Sequence, residues 1–304
     1  MKMWTLSSLS WKQMATRIWR AMSRDDVFGD AAQLAYYFLL ALFPLLIFLT
    51  SAIGLIVGSG TGMRHALFNY LARVMPSSAF QLLDVTMTEV TTASSAGKLS
   101  FGLVAALWAA SNGMGAITGA LNRAYELEET RPWWKQRLVA VSLTIALSVL
   151  IITALGLVIA GSHMADYLAT YHWLSSATAL TWKILQWPMA LAFMLLSFAL
   201  IYFFAPDFRE QDWKWITPGS VIGVVLWLLA SFALKGYLHF FDSYSKTYGS
   251  LGAVIILMLW LYLTGLAVLI GGEINSEIES VAAAKGAPDA KPKGAKTTRG
   301  KKRN

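Results

Sequence analysis

The sequence predicts an all-α integral membrane protein: six transmembrane helices with an N-terminal interfacial helix and an external helical pair between spans 1 and 2. Hydrophobic residues make up 56% of the chain and charged residues 14%, whereas soluble domains carry about 25% charged residues. The apolar residues are concentrated in stretches of roughly 20 residues or more, which is the length that a helix needs to cross a bilayer. Helices of that length in soluble proteins keep a polar face. The six stretches, spans 1 to 6, are residues 31–58, 99–121, 138–160, 184–205, 216–238 and 249–272.

The spans divide the chain into three parts. We expect residues 1–30 to form a cytoplasmic amphipathic segment, residues 31–272 the transmembrane domain, and residues 273–304 a cytoplasmic, basic and disordered tail. In the first part apolar residues recur at helical spacing, which predicts a helix lying in the inner headgroup layer rather than a cleaved signal peptide. These apolar residues are Trp4, Trp11, Met14, Ile18 and Met22.

The connection of residues 59–98 is the only long one on the external side. It contains two amphipathic segments, MRHALFNYLARVM and SSAFQLLDVTMTEV, on either side of Pro76. They predict a helical pair that either caps the outer face of the bundle or rests on the membrane.

Basic residues give the orientation. Nineteen of the 25 Lys and Arg residues lie in alternate segments, residues 1–30, 122–137, 206–215 and 273–304, so the positive-inside rule places both termini in the cytoplasm. The last twenty residues account for +7 of the net charge of +8. Such a tail is either simply solvated or binds anionic lipid headgroups, as the N-terminal helix also can.

Polar residues of span 2 share one helix face, because their spacing is three or four residues. We expect this face to point into protein, either as a packing seam that a G-x-x-x-G pair allows or as a groove for a substrate. Arg123 and Glu126 lie one turn apart and can pair, and both can meet Glu273 at the end of span 6. The residues of the face are Trp108, Asn112, Gly115, Gly119, Asn122 and Glu126.

Two further polar groups are candidates. In span 1, Gln33, Tyr37 and Pro44 lie near one face, and Pro44 removes a backbone hydrogen bond, which predicts a kink. Gln33 is expected to join the cytoplasmic cluster of Asn122, Arg123, Glu126 and Glu273. At the outer end of span 5, the spacing of three and four residues predicts either a small external charged cluster or a solvated helix end, formed by Lys235, His239 and Asp242.

Several motifs resemble those of the YihY/BrkB family of bacterial inner-membrane proteins, which are named as virulence factors. They are LNRAY after span 2, YGSLGAV before span 6 and GGEIN at its end, and the resemblance covers nearly residues 20–280. The resemblance implies a six-helix protein of the bacterial cytoplasmic membrane, for which transport is the usual conjecture.

The family has also carried the name of a ribonuclease, which the residues do not favour. A metal-dependent nuclease needs clustered His and carboxylate ligands, and the four histidines are scattered at His65, His163, His172 and His239. The chain has no cysteine and no P-loop. We therefore expect no catalytic residue, no metal, no cofactor and no nucleic-acid partner.

Three functions remain open. The first is a translocator for a lipid, a lipid-linked precursor or a small amphiphile, using the polar seams of spans 1, 2 and 6. The second is a non-transporting scaffold that binds envelope proteins or forms an oligomer. The third is a membrane-embedded enzyme acting on a lipid headgroup, with Glu126 and Glu273 as its carboxylates.

Overall fold

A computed structural model describes residues 10–57, 96–169, 176–208, 217–240, 250–285 and 293. In this part of the chain the regular structure is entirely helical. The helix Ser176–Phe204 contains a proline, Pro188. The helices are α1 Trp11–Arg24, α2 Val27–Val57, α3 Ala96–Ala124, α4 Trp133–Ala169, α5 Ser176–Phe204, α6 Pro218–Phe240 and α7 Ser250–Ala284.

Five of these helices are long and apolar enough to cross a membrane. The apolar segments are Leu103–Ala124, Trp133–Ala154, Ile184–Phe204, Pro218–Leu238 and Val254–Ala284. Large apolar side chains on them are exposed, for example Ile152, which is 66% exposed, and Phe232, which is 68% exposed. A lipid-facing surface requires such side chains, whereas a soluble protein rarely exposes them in large patches. The chain is therefore a multi-pass membrane protein, as its composition predicts.

Span 1 corresponds to α2, which is helical over Val27–Val57. Its described side chains reach only as far as Leu42, so the count of six spans stays a prediction. The side chain of Pro44 lies outside the described residues, and so do residues 59–95 of the external connection predicted for residues 59–98. The last three residues of that connection, 96–98, belong to α3.

The chain divides into two compact units. The first consists of residues 1–27, 117–226 and 267–304, and the second of residues 28–116 and 227–266. In the second unit, a Cβ added at Gly265 would lie 3.2 Å from Leu34, which is fully buried, so α7 and α2 pack closely there. The indole nitrogen of Trp227 donates to Thr264 at 3.1 Å, which joins α6 to α7.

In the first unit, α4 packs against α5, and glycines bring α6 and α7 together. A Cβ added at Gly219 would overlap the carbonyl oxygen of Gly271, and one at Gly223 would lie 2.8 Å from the Phe198 ring of α5. The Tyr202 hydroxyl of α5 donates to the carbonyl oxygen of Val268 at 2.7 Å. The backbones of α6 and α7 are therefore in close contact, and α5 packs against both helices through Phe198 and Tyr202.

The amphipathic segment forms α1, and its apolar face packs on protein. Met14 is buried with Ile274 and Ile278 of α7, and Ile18 packs against this group. The described part of α1 thus covers the C-terminal end of α7, which differs from the prediction of a helix whose apolar face meets lipid.

The C-terminal boundary also differs from the sequence prediction. Helix α7 continues to Ala284, so residues 273–284, which were assigned to the disordered tail, are helical. The physical reason is that Asn275, Ser276 and Glu277 have hydrogen-bond partners in other segments, which the sequence pattern alone does not show.

Candidate functional site

Helix α7 has a stretch near its C-terminal end that is buried on every side. All eight residues from Gly271 to Ile278 are buried, although helix faces normally alternate between core and surface. Four of them, Glu273, Asn275, Ser276 and Glu277, are polar. Gly271 and Gly272 allow this burial, because a Cβ at Gly272 would overlap the side chain of Leu121.

Three of these polar side chains have specific partners. The Asn275 side-chain oxygen accepts a hydrogen bond from the Gly219 backbone N–H at 2.8 Å, and its amide nitrogen donates to Thr217 at 2.9 Å. The Ser276 hydroxyl donates to the carbonyl oxygen of Ala124 at 2.6 Å, where α3 ends. These bonds connect α7 to the start of α6 and to the end of α3.

Glu277 joins α7 to two segments that are distant in the sequence. Its Oε2 accepts a hydrogen bond from Arg17 of α1 at 2.9 Å, and its Oε1 accepts one from Lys293 at 2.7 Å. The Glu277 side chain is 7% exposed. Buried carboxylates are tolerated when they are paired and hydrogen-bonded in this way.

Glu273 differs from its neighbours. It is 1% exposed, and neither of its carboxyl oxygens has a hydrogen-bond partner among the residues that the structure describes. Native proteins pair the large majority of buried polar side chains, so an exception calls for a functional explanation. An ionisable residue inside a membrane domain is by itself a candidate functional group.

The turn after α1 brings further charges to this end of α7. Arg24 contacts Asp25 at 2.9 Å and Glu126, which follows α3, at 3.1 Å. The hydrogen bond to Asp25 raises the pKa of the Arg24 guanidinium above its ordinary value. Asp25 also lies within hydrogen-bond reach of the Glu273 carboxyl group. Two carboxylates cannot donate to each other, so a hydrogen bond between these side chains requires a proton on one of them.

Helix α3 ends in a left-handed turn at this place. The Leu127 N–H donates to the carbonyl oxygen of Asn122 and the Glu126 N–H to that of Arg123, at 2.7 and 2.9 Å, which is the Schellman pattern. Glu126 takes the left-handed position with φ 54°, where glycine is usual. The turn directs Glu126 towards α1, because its carboxylate reaches Arg24.

A second polar network fastens the connection after α3 to the end of α5. Asn122 is 5% exposed. Its side-chain amide nitrogen donates a hydrogen bond to Glu129 at 2.9 Å. Its side-chain oxygen accepts one from the Asp207 backbone N–H at 2.8 Å. Arg131 makes two hydrogen bonds of 2.7 Å to Glu129 and one of 2.9 Å to the carbonyl oxygen of Ala205. The bonds to Glu129 raise the pKa of Arg131. Every charged member is paired, so this network is structural.

The predicted cytoplasmic cluster is therefore only partly assembled. Asn122 and Glu273 are buried in the first unit, whereas Arg123 is exposed. The described ion pair of Glu126 is with Arg24, which the sequence analysis did not include. Burial raises the pKa of the neighbouring Tyr125 well above its ordinary value.

The polar face of span 2 differs from its predicted orientation. Trp108 is 54% exposed, Gly115 is exposed, and Asn112 and Gly119 are half-buried. Within the part of the chain that the structure describes, a Cβ added at Gly115 would meet no atom within 4 Å. Gly113 is instead the glycine of α3 that allows close packing, since its Cβ would lie 2.9 Å from the Phe38 ring of α2.

The other candidates are placed as follows. Gln33 is exposed and Tyr37 half-buried in the second unit, and Lys235 is exposed on α6. The side chains of Pro44 and His239 and the whole of Asp242 lie outside the described residues. The external charged cluster therefore stays a prediction.

Sequence reasoning missed the residues that form the buried site around Glu273. Gly219, Gly223 and the glycines of GGEIN were available as signals of close helix packing, but GGEIN was used only as a family motif. The pairing of Glu277 with Arg17 and Lys293 had no sequence signal, because 260 residues separate Glu277 from Arg17.

Comparisons with known proteins agree with the membrane fold. A profile of the family described as Virulence factor BrkB matches residues 18–295. The chain is 35% identical over 248 residues to the ribonuclease-like protein YfkH of Bacillus subtilis, covering 82% of this chain and 88% of YfkH. It is 24% identical to the UPF0761 membrane protein NT05HA_1801 of Aggregatibacter aphrophilus, covering 90% and 94% of the two chains.

Some relatives are longer than this chain. It is 26% identical to the UPF0761 membrane protein Smlt0865 of Stenotrophomonas maltophilia over 86% of its own length, but spans only 59% of that protein. No solved structure matches the chain.

Proposed function

Because the chain belongs to the Virulence factor BrkB family of membrane proteins, we propose that it is a translocator of a lipid, a lipid-linked precursor or a small amphiphile. It acts in the bacterial inner membrane with both termini in the cytoplasm, as the distribution of basic residues favours. The bilayer is its principal partner, and anionic lipids bind its basic N-terminal and C-terminal segments.

The open polar face of α3 is the observation that carries this proposal. Asn112 is half-buried within an apolar helix, and at Gly115, one turn further along, a side chain would meet no atom of the described residues within 4 Å. A closed packing seam would fill that space with a neighbouring helix. A polar and small-residue face that stays open instead supplies a path on which a headgroup can leave water without losing all of its hydrogen bonds.

The scaffold is the second candidate, because an open helix face also suits a partner helix. A scaffold would use its N-terminal helix and basic tail for docking, but α1 and Lys293 both contact α7 of the same chain. The enzyme alternative requires two accessible carboxylates, whereas Glu126 pairs with Arg24 and Glu273 is buried. We therefore propose that the protein is not an enzyme and binds no nucleic acid.

The test is lipid movement in vesicles that contain only the purified full-length protein. A fluorescent phospholipid is present in both leaflets, and added dithionite quenches only the label in the outer leaflet. If the protein moves lipid between the leaflets, dithionite removes well over half of the fluorescence. Asn112→Leu should slow this loss, because leucine fills the open face and removes the amide. A chain that ends after Lys293 serves as the control and keeps the parent's rate. Quenching that stops at half for the parent protein would reject translocation and leave the scaffold.

A further inference from the structure

Glu273 is the polar side chain of the buried α7 segment that lacks a partner in the described part of the chain. Asn275, Ser276 and Glu277 all make hydrogen bonds of 2.9 Å or less. Both carboxyl oxygens of Glu273 make none, although the residue is only 1% exposed. Burying an unpaired charge costs several kcal/mol, so the site needs a bound positive charge, of which a proton is the smallest.

Among the described residues, the ion pairs around Glu273 go to other carboxylates. Arg17 and Lys293 pair with Glu277. Arg24 pairs with Asp25 and Glu126. Glu273 is 1% exposed, less than the carboxylates in these pairs.

The groups that face Glu273 come from every neighbouring segment. Asp25 and Glu277 add negative charge beside it, and Lys293 adds a positive charge that Glu277 already binds. The groups are Arg24 at the end of α1, Asp25 in the turn after it, Tyr125 after α3, Glu277 of α7, and Lys293. A metal ion would need several ligands, and no group of three His, Cys, Asp or Glu side chains suited to a metal occurs within the described residues.

We propose that Glu273 is a proton-binding site: its carboxyl group holds a proton while α1 covers the end of α7 and releases it when the cluster opens to water. Release breaks the carboxyl O–H bond, passes the proton to water and leaves the carboxylate. The turn after α1 contains Asp26 with φ 50°, and the turn after α3 contains Glu126 with φ 54°. This left-handed backbone conformation is unfavourable for residues other than glycine. Relief of this strain assists the opening.

The use of this proton to drive lipid movement rests on the translocator proposal, whereas proton binding itself does not. The experiment is therefore made on the full-length protein in detergent, without a lipid assay. The protein is treated with dicyclohexylcarbodiimide, an apolar reagent that modifies protonated carboxyl groups, and the modified peptides are mapped by mass spectrometry. We expect modification at Glu273, increasing by up to about tenfold for each unit of acidification through the titration.

Glu277 is the matched internal control, because two cations hold it as a carboxylate and it should remain unmodified. Mapping the unaltered protein makes the result independent of whether Glu273→Gln folds. If Glu273 is never modified, or if Glu277 reacts equally, the proposal is wrong. Protection by sodium chloride that choline chloride does not give would assign the site to a sodium ion instead of a proton.

Discussion

Lys293 donates a hydrogen bond to Glu277 at 2.7 Å, so the C-terminal basic segment contacts the buried end of α7. The same carboxylate binds Arg17 of α1. The Glu277 side chain of α7 therefore binds both Arg17 of the N-terminal helix and Lys293 of the C-terminal basic segment. From the sequence, the N-terminal helix is expected in the inner headgroup layer, and the tail is expected either to be solvated or to bind anionic lipid headgroups.

The first prediction concerns this contact. Lys293→Ala removes one of the two cations bound to a carboxylate whose side chain is 7% exposed, so we expect a loss of about 1.5–3 kcal/mol in the free energy of unfolding. Lys285→Ala is the control, since Lys285 has the same charge and is exposed. Unfolding by denaturant in detergent micelles gives both values. Equal stability of the two variants would show that the contact contributes nothing.

A second prediction concerns the glycines of α6. Gly219→Ala should lower the unfolding temperature strongly, because the new Cβ overlaps the carbonyl oxygen of Gly271 and the backbones must move apart. Overpacking of this kind costs about 1–3 kcal/mol or more.

Gly236→Ala is the matched variant on the same helix. Its Cβ meets no atom of the described residues within 4 Å, so we expect a gain from helix propensity of about 0.5–1 kcal/mol. Thermal unfolding should therefore shift in opposite directions for the two alanines. A neutral effect at Gly219 would mean that α6 and α7 do not approach each other as described.

A third prediction concerns orientation, which rests on the nineteen basic residues in alternate segments. The chain has no cysteine, so single cysteines can be introduced without a background. Cysteines at Ser78, Ser175 and Ser243 should react with a membrane-impermeant thiol reagent in intact cells. A cysteine at Ser23, which is exposed on α1, should react only after the membrane is opened. Labelling of Ser23→Cys in intact cells would reverse the proposed orientation.

The sequence by itself determined that the protein is helical and lies in a membrane. Hydrocarbon cannot hydrogen-bond to a peptide group, so stretches of about 20 apolar residues must satisfy their backbones internally as helices. That constraint is local and readable from composition. It predicted the positions of α3, α4, α5, α6 and most of α7.

The tertiary structure alone decided which polar residues meet. Helical spacing correctly put Asn112 and Gly115 on one face, but whether that face meets a neighbour depends on the other helices, and the face is open at Gly115. The continuation of α7 through Glu273 likewise depends on remote contacts, such as that of Glu277 with Arg17. Burial and pairing of charges are properties of all surrounding segments together, and a pattern within one segment does not contain them.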